Sequence, residues 1–138
     1  MKTKVLFLCT GNSCRSQMAE GFLRSMGGDR FEAHSAGTRP STLNPMAVEV
    51  MREAGIDIAS QWSKDASEYL GTHFAYLVTV CDNAKESCPI FPGPSIRLHW
   101  SLQDPADATG TDEERRVFFR RVRDQIRDHV KELVEKAG

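Results

Sequence analysis

No stretch of this chain is apolar for long enough to span a bilayer. Nor does any charge block, internal repeat or low-complexity tract mark a linker. The formal net charge is only −1, so the bulk charge gives no argument for nucleic acid or for an anionic membrane surface, and any positive site has to be local. The chain enters a strand-like run almost at once, without the basic segment, apolar segment and small-residue cleavage site of a secretory leader. These absences set the expectation of a cytoplasmic protein with no nucleic-acid or membrane partner. Cysteine is scarce too, with four in 138 residues. In a reducing compartment such cysteines are more often catalytic, redox-active or metal-binding than structural disulfides.

What is present is the composition of an ordinary globular domain, 27 % charged and 40 % hydrophobic, with enough residues for a single domain over 1–138 that buries a real core. Lys4-Val5-Leu6-Phe7-Leu8 reads as a first strand, and Met18, Ala19, Phe22, Leu23 and Met26 recur at helical spacing up to Gly27-Gly28. Phe31 to Ala36 is a second strand, and Thr38 to Leu43 is loop. Asn44-Pro45 caps a helix with Met46, Ala47, Val50, Met51 and Ala54 on its apolar face. Ser63 and Asp65 are caps for a short helix through Leu70. Phe74 to Val80 is an apolar strand suited to the centre of a parallel sheet. A loop-rich segment with one helical turn between Asp82 and Ser87 follows, then a short strand from Ile96 to Trp100. Thr111 with Glu114 forms a capping box for a long last helix whose core stripe is Phe119, Val122, Ile126, Val130 and Leu133, with Arg and Glu on a solvated face. Alternating strands and helices predict an α/β fold, an open four-stranded parallel sheet with helices on both faces. In such sheets ligands bind beyond the carboxyl ends of the strands, where Cys9, Cys81 and Asp104 fall.

Between the first strand and the first helix lies Cys9-Thr10-Gly11-Asn12-Ser13-Cys14-Arg15-Ser16. The first amides of a helix have no intrahelical partner and suit an anion. Gly11 lets the chain fold back, and Asn12 tolerates a left-handed conformation. Amides and the Arg15 guanidinium would favour a thiolate at Cys9 and hold a tetrahedral oxyanion, Arg15 in a bidentate fork, with the Ser16 hydroxyl close to the sulfur. Asp104 either starts a turn with Pro105 or supplies a general acid. The complete Cys-x5-Arg-Ser pattern in this setting resembles the low-molecular-weight tyrosine phosphatase superfamily.

Cys81 and Cys88 separate a phosphatase from a reductase. Phosphate-ester hydrolysis needs one thiolate, whereas reducing an oxyanion takes two electrons and a second thiol to resolve the covalent intermediate as a disulfide. Cys81 could do this, and Cys88 could then carry the disulfide outward. A zinc site using all four cysteines is disfavoured by their Cys-x4-Cys and Cys-x6-Cys spacings. His34, His73, His99 and His129 show no metal or Cys-His pairing, and His129 is expected on the helix surface. Trp62, Tyr69 and Trp100 are expected in the core or at its rim. Cys14 is expected to pack beneath the turn.

With Cys9 to Gly21, Ser35-Ala36-Gly37, Asn44-Pro45, Val78 to Pro89, and His99-Trp100 leading to Asp104-Pro105, the chain is similar to the thioredoxin-coupled arsenate reductases built on the phosphatase fold. The resemblance implies that Cys9 attacks arsenic while Arg15 and the loop Thr10, Gly11, Asn12, Ser13, Cys14 and Ser16 hold oxygens. It further implies that Asp104 protonates the leaving group, and that Cys81 and Cys88 pass the disulfide to thioredoxin. Arsenate would be the substrate, phosphate and sulfate competing oxyanions, and no organic cofactor is needed. Some members of the resembled family bind potassium at positions matching Asn12, Glu20, Ser35 and a carboxylate. That last position here is Lys64, whose ammonium could take the cation's place or simply be a surface charge. The tyrosines that follow Asp-Pro in the phosphatase branch are replaced by Ala106-Asp107, which implies poor phosphotyrosine cleavage. Two other functions remain open at this stage: a low-molecular-weight phosphatase, and an oxyanion or redox sensor without turnover.

Overall fold

The computed structural model describes residues 2–80 and 91–137. Cys81, Cys88 and the helical turn expected between Asp82 and Ser87 lie outside the described residues. Strands β1 (Thr3–Cys9), β2 (Phe31–Gly37), β3 (Tyr76–Thr79) and β4 (Ile96–His99) form one parallel sheet in the order β2-β1-β3-β4. Helices α1 (Arg15–Gly27), α2 (Pro45–Glu53) and α3 (Asp112–Ala137) connect or follow them, with 3-10 turns at Gly28–Arg30, Ala66–Tyr69 and Pro105–Asp107.

The core sits on both faces of β1, where Val5, Leu6, Phe7 and Leu8 have no exposed surface, as befits a strand covered from two sides. Successive side chains point to opposite faces. On the Phe7 face the ring meets Trp100, which stacks on His129 of α3 at 4.9 Å between centroids. On the Leu6 face the paired residue His34 meets the rings of Tyr69 and Phe74. Three layers result. His129 is therefore half-buried against Trp100 and not a plain surface residue, because α3 rotates it toward the sheet. Trp62, expected at the core or rim, is 64 % exposed.

Local chemistry places the helix ends. Asn44 Oδ1 accepts from the Met46 and Ala47 amides with Pro45 in the first turn. Thr111 and Glu114 exchange side-chain and backbone bonds at 3.2 Å each, completing the capping box. All five stripe residues of α3 are buried. Its polar face does more than meet water: Arg120 holds Glu53 of α2 through two bonds of 2.9 Å, and Arg123 donates to the Val50 carbonyl. Exposed pairs of this kind add little to stability, yet these tie the two helices together.

Several boundaries differ from expectation, those of β1, β2 and β4 by one residue at one or both ends and two others by more. The short helix after Asp65 is a single 3-10 turn closed by an Asp65 and Glu68 capping box, and Ser63 turns away to donate to the Asn12 carbonyl. Strand β3 is shorter than Phe74 to Val80, although the Ala75 and Val80 amides still donate to Lys4 and Leu8 of β1. Among the described residues no helix is long and apolar enough to cross a membrane.

Gly21 marks where α1 lies tightest, since a Cβ there would stand 2.6 Å from Ile58 Cγ2 and 3.3 Å from Met51 Cε. Gly21→Ala gains about 1 kcal/mol of helix propensity and loses about 1–3 kcal/mol to overpacking against two fully buried side chains. The expected net result is a lower urea midpoint. A raised midpoint would mean that Ile58 moves aside freely.

Candidate active site

Cys9 ends β1 and Arg15 begins α1, so residues 10–14 form the turn between them at the carboxyl edge of the sheet. Five consecutive carbonyls of this turn are held from outside. Cys9 O accepts from Thr38 N, Thr10 O from Arg39 N, Gly11 O from Ser41 N, and Ser13 O from Asn44 N. Asn12 O accepts from Ser63 Oγ at 2.7 Å and Gln17 Nε2 at 2.9 Å. A peptide N–H points away from its C=O, so turning the carbonyls outward leaves amides on the concave side, the arrangement that binds anions.

Asn12 has φ +50°, the one non-glycine residue with positive φ among the described residues. Gly11 is not in that region. The left-handed kink falls one residue later than the glycine, and Gly11 serves by being small, since a Cβ would lie 3.1 Å from Ser41 Oγ. Gly37 is required for the same reason: a Cβ there would stand 2.5 Å from Thr10 O and 3.0 Å from Asn12 N, both backbone atoms that cannot yield.

The kink aims the Asn12 amide at Cys9 Sγ, 3.1 Å away. Ser16 Oγ lies 3.0 Å from the same sulfur and accepts from Asn12 Nδ2 at 2.8 Å. With that hydrogen received, the Ser16 proton is free to point at the sulfur, so two donors converge on it. Cys9 is 3 % exposed at the floor of a cleft of about 570 Å³ lined also by Thr10, Gly11, Ser13, Cys14, Arg15 and Asp104. Asn12 and Ser16 do not line it. They are fully buried and support it from beneath.

Arg15 is positioned by the loops after β3 and β4. Its Nη1 donates to Leu102 O at 2.9 Å and to Val80 O at 3.4 Å, and Nη2 lies 3.5 Å from Asp104 Oδ2. Asp104 starts the 3-10 turn, its Oδ1 accepting from Ala106 N, and the same residue lines the cleft. Cys14 is buried, as expected, and burial pushes its thiol up to about 12, with the nearby Asp104 and Cys9 acting in the same direction. It touches the cleft as a neutral thiol.

Behind the turn, Lys64 is buried with its Nζ 3.3 Å from Glu20 Oε1 and 2.9 Å from the Trp62 carbonyl. Its backbone amide donates to Asn12 Oδ1 at 2.9 Å, and Ser35 Oγ donates to Glu20 Oε1. The ammonium thus stands among the oxygens that the family resemblance assigns to potassium. The carboxylate charge is already balanced, and these residues do not fit an added cation. Sequence reasoning missed Gln17, Gln61 and the 38–44 strap. Their roles depend on contacts across the fold, and only Pro40 in a loop hinted at the strap.

Cys14 keeps its proton to about 12 in the fold but loses it near the ordinary 9 when unfolded. Above that lower value the unfolded chain binds fewer protons, so stability falls as pH rises through the window between the two. Cys14→Ala is expected to flatten this fall in urea titrations on either side of pH 9. An unchanged slope would assign the alkaline loss to other groups.

Residues 4–137 match the family described as low molecular weight phosphotyrosine protein phosphatase. Over 136 residues the chain is 46 % identical to an arsenate reductase of Bacillus subtilis (strain 168), covering 98 % of each. A solved structure described as an arsenate reductase in the phosphate binding state superposes with TM-score 0.80 at 34 % identity over the whole of both chains. The thioredoxin-dependent arsenate reductase Cg_ArsC1' of Corynebacterium glutamicum gives TM-score 0.76 at 25 % identity, over 99 % of this chain and 64 % of that one. The chain belongs to the low molecular weight phosphotyrosine protein phosphatase family.

Proposed function

We propose that this chain reduces arsenate to arsenite in the cytoplasm with electrons from thioredoxin. The observation that carries the reading is the convergence on Cys9 Sγ of an amide and a hydroxyl at the floor of a cleft also lined by Arg15 and Asp104. Cys81 and Cys88 follow β3 in the same chain. The Cys9 thiolate attacks arsenic, an S–As bond forms, and one arsenate oxygen leaves as water with a proton from Asp104. Loop amides and Arg15 hold the remaining oxygens and stabilise the charge they carry.

Cys81 then attacks the Cys9 sulfur. The S–As bond breaks with its electron pair left on arsenic, which falls from +5 to +3, and two sulfurs are oxidised to a disulfide. Cys88 displaces Cys9 from Cys81, and the thioredoxin dithiol reduces the Cys81–Cys88 disulfide by exchange. Phosphate and sulfate share the tetrahedral geometry and compete. Aryl phosphate cleavage is a weak side reaction, because nucleophile, cradle and acid remain while Ala106 and Asp107 line the mouth in place of aromatic side chains.

In an assay with arsenate, thioredoxin, its reductase and a nicotinamide cofactor, the protein is expected to oxidise the cofactor steadily. Cys88→Ser should release about one arsenite per chain and stop, with Cys9 and Cys81 disulfide-bonded. Continued turnover of that variant would remove the relay, and a single burst from the unaltered protein would favour a sensor. The buried Lys64 and Glu20 pair predicts that replacing sodium by potassium leaves the rate unchanged. A clear rise in rate with potassium would contradict the lysine's role as built-in cation.

A further inference from the structure

We infer that Gln17, Gln61 and Arg24 are positioning residues that act on Cys9 through a one-way chain of hydrogen-bond donors. The inference rests on reading Cys9 as the nucleophile. Arg24 Nη1 donates to Gln61 Oε1 at 3.0 Å, Gln61 Nε2 to Gln17 Oε1 at 2.7 Å, and Gln17 Nε2 to Asn12 Oδ1 at 3.1 Å. From there Asn12 Nδ2 donates to Ser16 Oγ, whose proton points at Cys9 Sγ.

The direction of the chain is fixed by chemistry. A side-chain amide has an acceptor end and a donor end, so each link could run either way, but a guanidinium only donates. Arg24 therefore turns the Gln61 oxygen outward and its nitrogen inward, which turns Gln17 in the same sense. The far end agrees: the two hydrogens of Gln17 Nε2 are shared among three oxygens that can only accept, the carbonyls of Trp62 at 2.8 Å and Asn12 at 2.9 Å and Asn12 Oδ1 at 3.1 Å. Asn12 Oδ1 receives Gln17 Nε2 and the Lys64 backbone amide, which fills both of its lone pairs and commits Nδ2 to Ser16.

A second arm closes the ring. Arg24 Nη2 pairs with Glu20 Oε2, Glu20 Oε1 takes Lys64 Nζ, and the Lys64 amide returns to Asn12. Gln17 is fully buried and Gln61 is 8 % exposed. Arg24, with 56 % of its side chain exposed, is the link most open to solvent. Aligned dipoles polarise one another in a low-dielectric interior. The polarity they deliver favours negative charge on the sulfur.

The test is the pH profile of Cys9 alkylation in the fully reduced chain, read peptide by peptide by mass spectrometry, with no arsenate present. Gln61→Met keeps the length of the side chain and removes both ends of the amide. It is expected to move the alkylation midpoint to higher pH and to lower kcat for arsenate more than it raises KM. Should that variant not fold, Arg24→Ala, altered at a half-exposed side chain, is expected to move the midpoint in the same direction by less. A lowered melting temperature with an unmoved midpoint, in whichever variant folds, would make these residues merely structural and overturn the inference. If the unaltered protein reduces no arsenate yet the midpoint moves, the reductase reading fails and the donor chain stands.

Discussion

Everything at the site depends on the orientation of five peptide groups. A turn between a strand and a helix can present carbonyls or amides to its concave side, and only amides welcome an anion. In this fold the choice is made by the outside of the turn, where the 38–44 strap, Ser63 and Gln17 take every carbonyl from Cys9 to Ser13. The cradle is therefore built before any oxyanion arrives. Its backbone shape needs one left-handed residue, Asn12, and two missing Cβ atoms, at Gly11 and Gly37. Breaking the strap would cost more than loop order, because the amides would lose the constraint that aims them.

The second requirement is polarity beneath the turn without loose charge. Glu20, Lys64, Asn12, Ser16, Ser35 and Gln17 are all buried, a concentration of polar groups that would be costly if any were left unsatisfied. Among the described residues, no buried side-chain nitrogen or oxygen lacks a hydrogen-bond partner. A buried ion pair such as Lys64 and Glu20 is weak evidence for stability in itself. Its value is positional: the lysine brings a backbone amide to Asn12 Oδ1 and a neutralising charge to Glu20 at once. The same neighbourhood explains the contrast between two cysteines five residues apart. Cys9 receives an amide and a hydroxyl, whereas Cys14 has only a 3.8 Å contact with Ser13 Oγ and is kept neutral by burial.

Much of this was legible in the chain because it is local. The Cys9 to Ser16 turn, the Asn44 cap, the Thr111 capping box and the α3 stripe each follow from neighbours a few residues apart, and each is present. The bond from Lys64 to Glu20 was readable only through a family resemblance, and even then a surface lysine was an equal reading. What stayed hidden is what the fold assembles from distant segments. The Gln61 contact with Gln17 spans 44 residues, and Arg15 reaches the Leu102 carbonyl across 87. His129 was misplaced for a similar reason, since nothing near it in sequence announces Trp100 as its stacking partner. In the Cys9 to Ser16 turn the left-handed conformation that Asn12 tolerates is used, while Gly11 stays out of that region.

The most direct measurement is the response of the backbone amides to phosphate, followed residue by residue in a 15N-labelled, fully reduced protein. If the turn presents its amides inward, the signals of Gly11 to Ser16 move together and saturably, while those of α3 stay still. Saturable binding that leaves these amides unmoved, or shifts spread over the surface instead, would contradict a preformed cradle over Cys9.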